Sequence, residues 1–109
     1  MSVRGNKKAQ NMVKEIMENF DFHKCHIVMK HLNWCWHFNK TPPTIQELKK
    51  SAERNIWDCI ERMLNEEKMS YHAPYILSTG GFKVTTGKNR YGQLDFINLE
   101  FVLTDWGSN

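Results

Sequence analysis

The chain has 109 residues, 40% hydrophobic, 12% aromatic and 25% charged, which is one domain's worth of sequence and too apolar for a disordered tail. A net charge of +3 is too mild for a polybasic nucleic-acid binder and leaves the sign of a partner open. No run of about 18 apolar residues exists to span a bilayer, and MSVRGNKKAQN lacks the apolar stretch of a secretory signal, so no membrane association and a cytoplasmic location are expected.

From Lys7 to Asn19 the residues Met12, Val13, Ile16 and Met17, followed by Phe20, fall at helical spacing and predict an amphipathic helix. Residues 1–7 are expected to be disordered and the first turn frayed. Asp21 is a candidate N-cap for a second helix through FHKCHIVMKHL, whose apolar face is Phe22, Cys25, Val28, Met29 and Leu32. The break between the two helices reads equally as a kink.

LNWCWHFNKTPPTIQEL follows, in which Trp34, Trp36 and Phe38 alternate and so share one face of an extended segment. Their aromatic surface either locks a helix joint to the core or supplies a binding hot spot. The prolines at 42 and 43 stop any helix, and Thr44 with Glu47 three residues later forms a capping box that starts another. From Ile45 the positions Leu48, Ala52, Ile56, Cys59, Ile60, Met63 and Leu64 repeat at i, i+3, i+4, predicting a long helix over about 45–66. Trp57 sits at the side of that stripe.

Beyond Glu67 the chain turns rich in Thr, Tyr, Phe, Ile and Val with glycine punctuation, which predicts strands. FKVTT and LDFINLEFVLTDW flank the turn-rich GKNRYGQ, so an antiparallel hairpin is expected, with YIL at 75–77 as a further strand. Leu94 and Phe96 alternate in one phase and Ile97, Leu99, Phe101 and Leu103 in the other; a one-residue bulge near Phe96 reconciles them. The fold class is therefore α+β. Two or three N-terminal helices, over about residues 8–67, pack on a small C-terminal antiparallel sheet within about 75–106, all in a single domain over 1–109.

Several constellations bear on chemistry. Cys25, Cys35 and Cys59 are odd in number and form no CxxC pair, which suits reduced, buried thiols; only Cys35, beside the tryptophans, has the setting of a reactive one. His23 and His26 lie one turn apart on a helix, as two metal ligands can, but no recognised zinc spacing accompanies them. No cofactor, metal site or catalytic residue is expected. STGGF at 78–82 can bring the backbone amides of Gly80 and Gly81 close to an anion, with Thr79 and Lys83 alongside, although a plain turn explains the glycines as well. Lys88, Arg90 and Tyr91 extend a second basic segment, able to track phosphates and stack a base.

The order FDFHKCHIVMKHLNWCW, PTIQELKKSAE, STGGFKV and LEFVLTDW resembles a group of short accessory proteins of tailed bacteriophages, over about residues 20–106. The resemblance carries no catalytic residues. It implies a non-enzymatic protein in the cytoplasm of an infected bacterium, acting by binding as an inhibitor of a host or anti-phage defence protein, or sequestering a small anionic, nucleotide-like ligand. A small nucleic-acid-binding module using the basic hairpin is the alternative. Trp34, Trp36 and Phe38 would supply apolar contact to the partner, and Thr79, Gly80, Gly81, Lys83, Lys88 and Arg90 would meet an anionic one. Burial of aromatics between copies makes a homo-oligomer a further expectation.

Overall fold

The computed structural model describes residues 3–31, 43–65, 74–79 and 81–102. The fold is α+β, with described helices first and described strands last. A 3-10 turn, Val3–Gly5, leads into α1, Lys7–Asn19; α2 spans Phe22–His31 and α3 spans Ile45–Asn65. The strands β1, Tyr75–Thr79, β2, Phe82–Lys88, and β3, Leu94–Phe101, form an antiparallel sheet in the order β1-β2-β3.

Local chemistry sets the helix starts. Asn6 caps α1 by accepting a hydrogen bond from the Ala9 N–H at 3.2 Å, and the Gln10 side-chain amide donates back to the Arg4 carbonyl. The first turn of α1 is thus hydrogen-bonded from both sides. Asp21 caps α2 through the Lys24 N–H at 3.0 Å. Phe20 between the two helices is extended, with φ −76° and ψ 134°, so the junction is a true break and not a kink. At α3 the capping box is reciprocal: the Glu47 N–H donates to Thr44 Oγ1 and the Thr44 N–H donates to Glu47 Oε1, both at 3.1 Å.

Long-range packing then builds two layers. The α3 stripe of Leu48, Ala52, Ile56, Cys59, Ile60 and Met63 is buried against the sheet, mainly over β2. Leu48, Ile56, Ile60 and Met63 each contribute roughly 1.5–3 kcal/mol of burial free energy. Helix α1 packs beside it against β3, and α2 lies on α3. The sheet's inner face consists of Phe82, Val84 and Thr86 in the centre, flanked by Tyr75 and Leu77 on β1 and by Ile97, Leu99 and Phe101 on β3. Phe82 joins Phe20, Phe22 and Phe101 at ring-centroid distances of 6.2, 6.1 and 5.5 Å. Four phenylalanines therefore lock the α1–α2 break to the sheet.

The register of β2 against β3 pairs Gly87 with Phe96 and Lys88 with Leu94, leaving Asp95 as the extra residue of a bulge. The bulge lies where the two alternation phases meet. It keeps Leu94 on the core side with Ile97, Leu99 and Phe101, and turns both Asp95 and Phe96 outward. No described helix is long and apolar enough to cross a membrane.

Candidate interaction surface

All the described helices that pack on the sheet do so on its inner face, so the alternate residues of each strand point away from them. Two rows result. Ile76, Thr85 and Asn98 stand abreast across the three strands, and Ser78, Lys83 and Glu100 form the next row. Phe96 adds an aromatic ring over Gly87, where the space a Cβ would need is already filled by ring carbons. Ile76 is 51% exposed and Phe96 42%, values that place large apolar groups in water with no described neighbour to cover them.

At one end of this face lies the β2–β3 turn. The Asn89 carboxamide oxygen accepts hydrogen bonds from the Tyr91 N–H at 2.9 Å and the Gln93 N–H at 3.1 Å, while the Gly92 N–H bonds the Asn89 carbonyl at 2.9 Å. Gly92 takes the left-handed conformation, φ 80°, that the turn requires. On this frame the Arg90 guanidinium lies 5.2 Å from the centroid of Tyr91, whose side of the turn is open: the residue is 73% exposed.

The anion-contact candidates are not one cluster. Thr79 ends β1 and Gly81 immediately precedes β2, whose seven residues carry the chain roughly 20 Å to the Lys88 end. Gly81, at φ 85°, is buried, and its carbonyl accepts the Val102 N–H at 2.8 Å, so it serves the sheet. In the outer row Lys83 is the register partner of Glu100, whose carboxylate accepts a hydrogen bond from the Asn98 side-chain amide at 3.2 Å. Lys88, Arg90 and Tyr91 alone stay together, at the far turn. Gly80 and the Thr79 side chain lie outside the described residues, as do Trp34, Cys35, Trp36 and Phe38.

Between the α1–α2 break and the end of β3 there is a cleft of about 360 Å³ lined by Phe20, Asp21, Lys24, Cys25, Val28 and Phe101. The thiol in this lining is held neutral: burial first, then the Asp21 carboxylate, pushes the Cys25 pKa up to about 11. Cys59 sits under the sheet with Sγ 3.4 Å from Thr86 Oγ1, and burial raises its pKa as well. His23 is exposed and His26 half-buried, while Cys25 between them faces the core. Among the described residues no three His, Cys, Asp or Glu side chains come together where a metal ion could be held.

Sequence reasoning missed Ile76 and Phe96. The signal existed in YIL, where Ile76 alternates against Tyr75 and Leu77, and in the phase clash at Phe96, but nothing local says which phase a helix will cover. The chain matches no known family model, no curated protein and no solved structure.

Proposed function

We propose that this chain is a non-enzymatic accessory protein that acts by binding a protein partner, in the manner its resemblance to phage accessory proteins implies: inhibition of a host or defence protein in the bacterial cytoplasm. The observation that carries this reading is the sheet face that no described helix covers, on which Ile76 and Phe96 stay exposed near the hydrogen-bonded turn bearing Arg90 and Tyr91. Exposed aromatic and arginine side chains on a stiff scaffold are the composition of interface hot spots. Buried thiols held protonated make Cys25 and Cys59 poor nucleophiles, which agrees with a binding role.

Sequestration of a small anion has less support, because its proposed donors divide between opposite ends of β2. A nucleic-acid module is the second reading, favoured by the Lys88, Arg90 and Tyr91 grouping. Binding a strand tightly takes several neutralised phosphates, however, and Lys83 is set beside Glu100 instead of continuing the basic track.

The test uses the wild-type chain and an Ile76→Ser/Phe96→Ser variant, both confirmed as folded by circular dichroism, as baits in host-cell lysate. A protein captured by the wild type is purified and titrated against both; affinity lower by about tenfold or more in the variant meets the expectation. Equal affinity places the contact elsewhere and overturns this assignment of the surface.

A further inference from the structure

The β2–β3 turn says something about the partner's chemistry, an inference that rests on the protein-binding reading above. From Thr86 to Leu94 the chain carries Lys88 and Arg90 and no carboxylate; the first acid is Asp95, in the bulge on the outer face. Within this stretch Arg90 is the exposed cation. The turn is also pre-shaped, since the Asn89 side chain holds two backbone N–H groups and Gly92 supplies the left-handed residue. A site already in its final shape loses little conformational freedom when it binds.

Arg90 is the centre of this site. Its guanidinium rests on the Tyr91 ring at 5.2 Å, and no described side chain takes its N–H donors in a hydrogen bond or ion pair. The guanidinium lies over the ring with its N–H donors open to a carboxylate, which arginine can bind through two parallel N–H···O bonds. Next to it Tyr91 offers a ring face and a hydroxyl, and Phe96 begins the apolar surface of the outer face.

We infer that the β2–β3 turn is a docking point for an acidic segment of the protein partner, in which Arg90 grips an Asp or Glu carboxylate and Tyr91 and Phe96 cover the apolar residues beside it. A protein ligand fits better than a nucleic acid because one short turn can meet a single carboxylate, whereas a phosphate backbone needs a continuing row of cations and the adjoining outer face mixes Lys83 with Asp95 and Glu100.

The experiment is an amide-resolved NMR titration of the ¹⁵N-labelled full chain with two probes of similar net charge: an acidic peptide alternating Glu with Trp and Leu, and single-stranded oligothymidylate. The expected result is saturable shifts centred on residues 88–93 and Phe96 with the peptide, weaker ones with the oligonucleotide, and a loss of about tenfold in peptide affinity for Arg90→Glu, with Arg90→Lys keeping part of it. Stronger binding of oligothymidylate at the turn overturns the inference in favour of nucleic acid. Peptide shifts that persist in Arg90→Glu but vanish in Ile76→Ser/Phe96→Ser refute the turn's role while leaving the outer-face reading standing. Peptide shifts absent from the whole sheet refute the acidic-segment inference, and the lysate-partner titration then decides the outer-face reading separately.

Discussion

Phe96 lies across Gly87, its partner in the β2–β3 register, so that the ring occupies the volume a Cβ on Gly87 would need. The ring's edge occupies space that only a residue without a Cβ leaves open. Gly87 is buried although it belongs to the outer face.

This pairing predicts coupled substitutions. Gly87→Ala should destabilise the fold by about 1–3 kcal/mol, since ring or strand must move. Phe96→Ala alone should cost less, because the ring is 42% exposed. In the double variant the clash is gone, so the two effects should fall short of additivity by roughly 1 kcal/mol, measured as a double-mutant cycle by urea denaturation. Strict additivity would show that the ring does not hold this position in solution.

The reciprocal Thr44–Glu47 box predicts a second effect. Thr44→Ala should lower stability by about 1 kcal/mol and Thr44→Ser by little, because the serine hydroxyl keeps the bond to the Glu47 N–H. Thermal melts of the two variants against wild type check the order; equal losses would mean the threonine methyl matters more than its oxygen.

The buried thiols give a pH dependence with a defined sign. Cys25 has its pKa raised from 9.0 to about 11 in the folded chain. An unfolded thiol ionises from near 9 while the folded one stays protonated, so the unfolded state binds fewer protons and stability falls as pH rises from about 9 to 11. The loss should be on the order of 2 kcal/mol and should shrink in Cys25→Ala, measured by denaturation at pH 8, 9, 10 and 11. At pH 8 the native Cys25 and Cys59 should also alkylate far more slowly with iodoacetamide than the urea-unfolded ones, read site by site by mass spectrometry.

The N-terminal turn is tied down through Arg4, whose guanidinium is 5.7 Å from the Trp57 ring centroid and whose Nε is 3.3 Å from Glu61 Oε1. Arg4→Ala should cost about 0.5–1 kcal/mol, mostly through the stacking, because the ion pair is solvent-screened. Arg4→Ala should also speed hydrogen exchange at Ala9 and Gln10, in the first turn of α1. Unchanged exchange would separate that turn's order from the arginine.

The helices and strands were legible because each announces itself locally. Thr44 with Glu47, Asp21 before its helix, and the apolar repeat from Leu48 to Met63 need only the 3.6-residue period and the bonding capacity of a side chain. The bulge was legible for a similar reason: a two-residue period cannot change phase from Leu94 to Ile97 without an extra residue. Sequence alone therefore determined the α+β class, the starts of α2 and α3 and the antiparallel pairing.

Tertiary structure decided which surfaces are left over. Whether Ile76 or its neighbours Tyr75 and Leu77 face the helices depends on where α3 lands. The basic residues that look adjacent along the chain from Lys83 to Arg90 separate because an extended strand carries them to opposite ends of a sheet and sets Glu100 beside one of them. Trp57, placed by periodicity at the margin of its helix, is buried as part of the core cluster, with Arg4, more than fifty positions earlier, over its ring. Each of these outcomes turns on contacts between residues distant in sequence, and local hydrogen-bonding and side-chain periodicity carry no record of them.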